Sequence, residues 1–162
     1  MTRSKLDTSD VDALTDAVLT ASRLLVAVSA QSIAAADDTI TLPQFRVLVV
    51  LDSRGPMKLT TLADLLDVNP STATRMVDRL LMTGLLARQP NPASRREVVV
   101  ELTLEGRKLV RGVTRRRRVA IGRIIARMPE DKRRGLIEAL NAFSEAGGEP
   151  LVNASAGDLG WI

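Results

Sequence analysis

The stretch from Leu59 to Thr103 constrains the fold of this chain more than any other part of it. Two short segments with helical spacing, residues 59–66 and 70–83, flank the turn-forming sequence Asp67-Val68-Asn69. Thr60 or Thr61 is expected to cap the first helix and Asn69 the second, which Gly84 ends. Strand-like residues 85–89 and 97–103 follow, joined by a proline-containing basic loop. The predicted order is helix, turn, helix and β-hairpin.

Long helical patterns flank this region on both sides. From Asp10 to about Ala36, apolar residues alternate at steps of three and four, which places a narrow seam along one helix face. That seam could pack within its own subunit or against a second chain. Further helices are expected at residues 43–54, 104–128 and 129–147, and residues 149–162 are expected to be irregular. The predicted fold class is therefore mostly α with a small β-hairpin (α+β).

The residue types present exclude several kinds of chemistry. The chain has no cysteine and no histidine, so disulfides, the usual zinc sites and proton transfer by histidine are ruled out. Tyrosine is absent and only two Phe and one Trp occur, which argues against platforms that stack unpaired bases. An enzyme is the least expected class of protein, and no cofactor or metal is expected.

The positive charge is concentrated in the middle of the chain. Residues 54–134 contain 19 basic and eight acidic side chains, a net charge of +11. Residues 1–53 have a net charge of −3 and residues 135–162 a net charge of −4. A basic centre between acidic ends favours a polyanion as partner.

The sequence also suggests where the protein is located. The N-terminal residues lack the apolar run of a secretory signal, and no stretch is expected to reach the length of a membrane span. The chain is therefore predicted to be cytoplasmic and to have no membrane partner.

The second helix of the motif has residues suited to reading double-stranded DNA. Small hydroxyl residues near its start allow close approach to bases or phosphates, and Arg75 is long enough to reach a guanine edge. The alternative is an ordinary solvated face on which Asp78 pairs with Arg79. The predicted contacts from this helix are Ser71, Thr72, Thr74, Arg75 and Arg79, with Thr60 and Thr61 from the preceding helix in support.

The loop of the hairpin contributes two further candidates. Arg95 and Arg96 are expected to project beyond the strands, and a narrow minor groove attracts arginine side chains. A solubilising turn is the alternative interpretation of this pair. The neighbouring helix makes the DNA interpretation the better one.

Residues 40–106 resemble the MarR family of bacterial winged-helix regulators. The matching segments are LPQFRVLVVL, LTTLADLL, NPSTATRMVDRLLMTGLL and REVVVELTLEG, which includes Leu-Thr-x-x-Gly. The resemblance implies a winged helix-turn-helix DNA-binding lobe at residues 39–103, flanked by dimerisation helices at 1–38 and 104–162. It also implies an obligate homodimer that binds palindromic operators. Wings of the family commonly have Asp before the two arginines, whereas Ser94 occupies that position here.

A run of four arginines at residues 115–118 suggests where a regulatory ligand could bind. Arg117 falls within the apolar stripe of its helix, and a buried arginine needs a partner. Our hypothesis is that Arg117, together with Arg116, lines a cleft and binds a small organic anion, a ligand class that the resemblance supports. A structural ion pair with an aspartate of the first helical segment is the alternative.

Together these observations predict a dimeric transcriptional repressor that binds DNA in a sequence-specific manner. Two other functions stay open from the sequence. The charge concentration would also suit a nonspecific, architectural DNA-binding protein, and Ser94 would suit a helical protein-interaction module that has lost DNA binding.

Overall fold

The computed structural model describes residues 8–149, which form seven helices and two strands in two compact units divided after Ile121. The elements are α1 (Thr8–Ala34), α2 (Leu42–Arg54), α3 (Leu59–Leu66), α4 (Pro70–Met82), β1 (Leu86–Asn91), β2 (Ser94–Leu102), α5 (Leu104–Ala126), α6 (Glu130–Arg133) and α7 (Leu136–Ala146). The predicted class, mostly α with a small β-hairpin, is confirmed. The irregular tail predicted beyond Glu149 lies outside the described residues.

The core of the first unit lies between α2, α3, α4, the hairpin and the first half of α5. Its fully buried side chains are Val47, Leu48, Leu62, Val77, Leu80 and Val113. Helix α2 begins with a capping box, in which Thr41 accepts from the Gln44 backbone N–H and the Gln44 side chain accepts from the Thr41 backbone N–H. Helices α3 and α4 pack against each other and against α2.

The hairpin joins this core through its base. Strands β1 and β2 pair antiparallel from Leu86 opposite Leu102 to Asn91 opposite Ser94, with an irregularity between Pro90 and Asn91. Met57, just before α3, adds a short bridge to Val100 through two backbone hydrogen bonds. The strands are longer than predicted, because the connection is only the two residues Pro92 and Ala93.

The Leu-Thr-x-x-Gly sequence connects the hairpin to α5. Leu102 is buried, and Thr103 Oγ1 accepts from the Gly106 backbone N–H while donating to the Gly84 carbonyl. A side chain at Gly106 would place its Cβ 2.3 Å from the Leu85 carbonyl oxygen. Only glycine therefore allows the first turn of α5 to lie this close to the start of the hairpin.

Helix α1 differs in part from expectation. Asp10–Ala34 is long and apolar enough, by length and composition, to cross a membrane, so the expectation that no stretch has that length is wrong. Val28 and Ile33 are buried, whereas Val11, Leu14 and Leu25 of the same helix are exposed. Length and apolar composition alone do not identify a membrane span, because a helix that packs against another protein chain can have both.

The second unit contains the end of α5 together with α6 and α7. The single helix expected after Pro129 is interrupted at Arg134 and Gly135. Arg133 donates to the carbonyls of Ala126 and Met128 and so caps the end of α5. Large apolar side chains of α7 are exposed, among them Ile137, Leu140 and Phe143.

Candidate nucleic-acid interface

Helix α4 presents one face to the core and the other to solvent. Ala73, Val77 and Leu80 are fully buried, and they face α2 and α3. The opposite side exposes Ser71, Arg75, Asp78, Arg79 and Met82. The division into a core face and a polar face follows the sequence prediction.

The start of α4 is organised by Asn69. Its side-chain oxygen accepts from the Thr72 backbone N–H at 2.9 Å and from the Ser71 hydroxyl at 2.7 Å, as expected for an N-cap. Thr74 donates its hydroxyl proton to the Pro70 carbonyl at 2.8 Å. Each hydroxyl oxygen keeps lone pairs that can accept, and the helix N-terminus favours a phosphate.

Arg75 and Arg79 are the exposed cations of this face. Neither forms an ion pair or a side-chain hydrogen bond with another side chain that the structure describes. The alternative pairing of Asp78 with Arg79 is wrong, because Asp78 instead accepts from Arg88 of β1 at 2.8 Å. The side chains of Arg75 and Arg79 are therefore available to a ligand.

Helix α3 supplies the two threonines predicted in support. Thr60 and Thr61 lie exposed in its first turn. Neither is the N-cap, which is Lys58 without a side-chain capping bond. The expectation that a threonine caps α3 is wrong, since the helix begins at Leu59, before either residue.

The wing, which we define as β1, β2 and their turn, places its arginines differently from the prediction. Arg95 and Arg96 lie within β2, not in a loop beyond the strands, because the turn is confined to Pro92 and Ala93. The side chain of Arg96 is exposed. A β-ribbon of this kind presents its side chains alternately on two faces.

Sequence reasoning missed a polar network on the wing. Glu97 accepts from Lys58 Nζ at 2.5 Å and from Asn91 Nδ2 at 2.9 Å. Both hydrogen bonds hold the pKa of Glu97 below its usual value of 4.5, with that from Lys58 the larger influence. Lys58 and Glu97 lie 39 positions apart, so only the fold reveals the pair.

The arginine run separates into different environments on α5. Arg116 is exposed, donates to the Ala35 carbonyl at 3.3 Å and lines a cleft of about 490 Å³. Asp37, Leu85, Lys108, Leu109 and Arg115 also line this cleft. Arg117 is partly buried, does not line the cleft, and its Nε has no hydrogen-bond partner in the described part of the chain. Arg115 and Arg116 thus both line the cleft, whereas Arg117 does not.

A metal site has no counterpart in residues 8–149. In this part of the chain no group of three or more acidic side chains lies close enough to hold an ion, and the chain has no His or Cys to add to one. The polar groups of α3, α4 and the wing are suited to an anionic partner.

Two packed helices, the second with an exposed polar face, followed by a basic β-hairpin define a winged helix-turn-helix DNA-binding protein. Residues 40–98 match the model of the MarR family. The fold is similar to the crystal structure of RV1404 from Mycobacterium tuberculosis, with a TM-score of 0.82 and 57% sequence identity. The match covers 88% of this chain and 97% of that one. The chain belongs to the MarR family.

Curated relatives agree with this assignment. The multiple antibiotic resistance protein MarR of Salmonella typhimurium is 42% identical over 67 residues, which is 41% of this chain and 46% of that protein. The transcriptional repressor MdtR of Bacillus subtilis is 32% identical over 93 residues, 57% of this chain and 60% of that protein. The chain is thus a DNA-binding transcriptional regulator, and members of this family are not enzymes.

Proposed function

We propose that this protein is a homodimeric repressor that reads a palindromic operator with α4 in the major groove. The observation that carries the proposal is the exposed face of α4, where Arg75 and Arg79 have no partner among the described side chains. Ser71, Thr72 and Thr74 lie in the first turns of that helix, where backbone approach to DNA is closest. Thr60, Thr61, Arg95 and Arg96 contribute supporting contacts to the backbone or the minor groove.

The homodimer is supported by the exposed apolar surface of α1. Leu14 is 60% exposed in the single chain, and Val11, Val18 and Leu25 are also exposed. Contiguous apolar surface on a protein generally marks an interaction site. In the proposed dimer, residues 1–38 and 104–162 supply the interface, and the two copies of α4 reach half-sites about one helical turn apart.

Repression is supported by relatives and not by geometry. The MdtR protein of Bacillus subtilis, similar over more than half of this chain, is a transcriptional repressor. A dimer seated on an operator that overlaps a promoter would exclude RNA polymerase. We place this activity in the cytoplasm, where bacterial DNA is located.

We further propose that a small organic anion releases the protein from DNA by binding the cleft of α5. Lys108, Arg115 and Arg116 line it, against the acidic side chains Asp37 and Glu105. Lys108 is already paired with Glu105 at 2.9 Å, which leaves the two arginines as the cationic groups for a carboxylate. The range of suitable effectors is chemically narrow, because the ligand needs an apolar part for Leu85 and Leu109 as well as a negative charge, and aromatic carboxylates combine the two.

Selection of duplexes from a random-sequence library, followed by gel shifts at two salt concentrations, tests the DNA-reading function. We expect an inverted repeat to be enriched and to bind far more tightly than unrelated DNA at both concentrations. Steep salt dependence without preference would indicate the architectural alternative. Absence of binding at low salt would indicate an interaction module that no longer binds DNA.

A second experiment tests the effector site. Salicylate, as a probe of the aromatic carboxylates, is titrated into the complex with the selected duplex. Arg116→Ala should abolish release while leaving operator affinity intact, and Arg117→Ala is the matched comparison. Release that survives Arg116→Ala but not Arg117→Ala would place the effector elsewhere, and loss of folding in Arg117→Ala would favour a structural role for that residue.

A further inference from the structure

Three side chains form a hydrogen-bonded network between the wing and the segment that precedes α3. Lys58 Nζ donates to Glu97 Oε1 at 2.5 Å, and Asn91 Nδ2 donates to Glu97 Oε2 at 2.9 Å. Asn91 Oδ1 in turn accepts from the Ala93 backbone N–H at 3.0 Å, within the turn of the hairpin. We call Lys58, Asn91 and Glu97 the wing clasp. It forms a continuous chain of hydrogen bonds from the start of α3 to the tip of the wing.

The wing needs such a contact because its backbone is poorly supported near the tip. The bridge between Met57 and Val100 joins the base of β2 to the segment before α3. Glu97 lies three residues further along the strand, about 10 Å towards the tip. Pro90 has no N–H to donate to the ladder, and the register shifts between Pro90 and Asn91. A two-stranded ribbon is only marginally stable by itself, so the clasp holds the distal half.

We propose that Glu97 is a positioning residue for DNA binding, which acts through the wing clasp to hold the wing at a fixed angle to α3 and α4. Successive side chains of a strand point to opposite faces, so fixing Glu97 on one face directs Arg96 to the other. The proposal deepens the DNA-reading function proposed above and depends on it. Glu97 itself does not touch DNA.

The charge balance of the wing clasp is consistent with this role. A free carboxylate on a DNA-facing hairpin would repel phosphates, whereas Lys58 neutralises Glu97 at contact distance. The carboxylate that accepts the hydrogen bonds from Lys58 and Asn91 lies at position 97, on strand β2 and not at the turn.

The test compares Glu97→Gln, Lys58→Met and the double variant for binding to a duplex that the wild-type protein selects from a random library. Each single variant should weaken binding about three- to tenfold, the range expected for loss of one ordinary hydrogen bond, because the pair is exposed to solvent. The double variant should bind no more weakly than the weaker single variant. Hydroxyl-radical footprints of Glu97→Gln should lose protection in the minor groove, while methylation protection in the major groove is retained.

Charge reversal and a matched control complete the experiment. Lys58→Glu combined with Glu97→Lys should recover most of the lost affinity, which general destabilisation would not allow. Asp131→Asn removes an acid from another exposed ion pair, that with Lys132 at 3.2 Å, and should bind as the wild type does. Asn91→Ala provides a second disruption that keeps both charges, should Glu97→Gln fail to fold.

Three results would overturn the proposal. Glu97→Gln could bind as tightly as wild type while Lys58→Met binds weakly, which would make Lys58 a direct phosphate ligand. The minor-groove footprint could persist in Glu97→Gln, which would separate the carboxylate from wing position. If the wild-type protein selects no duplex at all, the proposed DNA-reading function fails first, and the clasp proposal fails with it.

Discussion

At the scale of single residues, the two exposed arginines of α4 carry the most specific expectation. Arg75 lies one turn beyond Ser71 on the helix face opposite the core, and no described acidic side chain holds it. A guanidinium can bind the O6 and N7 atoms of guanine with two hydrogen bonds. A side chain that contacts a base edge specifies sequence, whereas one that binds phosphate adds affinity without sequence preference.

We therefore predict that Arg75→Ala changes the base preference at one position of each half-site. Discrimination at that position should fall by about 1–3 kcal/mol, the range for a bidentate contact to a base. Binding to a panel of duplexes with single base substitutions measures this effect. Arg127→Ala, which removes an exposed arginine of the second unit, is the control. An equal loss of affinity on every duplex would assign Arg75 to phosphate.

Gly106 gives a second residue-scale prediction, this one on stability. A Cβ there would lie 2.3 Å from the Leu85 carbonyl oxygen and 2.8 Å from Leu102 Cδ2. Gly106→Ala should lower the free energy of unfolding by about 1–3 kcal/mol, as overpacking does. Gly112→Ala in the same helix meets no atom within 4 Å and should be neutral or stabilising. Urea unfolding of both variants measures the difference.

Hydrogen-bond partners could be predicted from the sequence for residues whose partners lie only a few positions away. Asn69 caps α4 because its partners, Ser71 and Thr72, are two and three residues away. The pairing of Asp78 with Arg88 was not predictable, because an adjacent arginine on the helix offered an equally plausible partner. The distance between α4 and β1 decides between the two, and that distance is a property of the fold.

At the scale of elements, the wing contains a carboxylate whose pKa is shifted by its hydrogen-bond partners. Ionised Glu97 accepts from Lys58 and Asn91, so its pKa in the folded protein lies below 4.5. A lowered pKa means that the folded state favours the ionised form. The contribution to stability is therefore fully present above pH 4.5 and is lost as the pH falls through the folded-state pKa.

We expect wild type to be more stable than Glu97→Gln at pH 7, with a difference that is constant down to about pH 4.5 and shrinks below it. Thermal unfolding of both proteins between pH 7 and pH 3 measures this difference. Glu138→Gln replaces an exposed carboxylate of α7 and is the control. A difference between wild type and Glu97→Gln that does not change below pH 4.5 would contradict the assignment.

The order of the central elements could be predicted, but their lengths could not. Prolines 90 and 92 suggested a long loop, whereas the strands extend to Asn91 and Ser94 because Asn91 Oδ1 holds the turn. The helix expected after Pro129 is interrupted at Gly135. At the hairpin a side-chain contact, not the local propensity, sets where the strands end.

At the scale of the whole molecule, the apolar residues of α1 divide into a buried set and an exposed set. Val28 and Ile33 pack within the chain, while Leu14 and Leu25 do not. The alternation of apolar residues predicted a seam along the helix, but could not predict how it divides. That division depends on which other elements reach each part of α1.

We predict that Leu25→Glu yields a monomer with much weaker operator binding, because a carboxylate buried between two apolar helices has no partner. Analytical ultracentrifugation and gel shifts on the selected duplex measure the two effects. Gln31→Glu adds the same charge at an exposed polar position of α1 and should remain dimeric. A Leu25→Glu protein that sediments as wild type does would exclude this part of α1 from the interface.

The close approach at Gly106 has a mechanical consequence. The first turn of α5 lies against the Leu85 carbonyl with no side chain between them. The helix and the start of the hairpin therefore cannot come closer together at their junction. Thr103 adds hydrogen bonds to both sides of the same joint. We expect a rotation of the first turn of α5 to be transmitted to the base of the hairpin. A small displacement at Leu109 or Gly112 would then move the distal end of the hairpin by a larger distance.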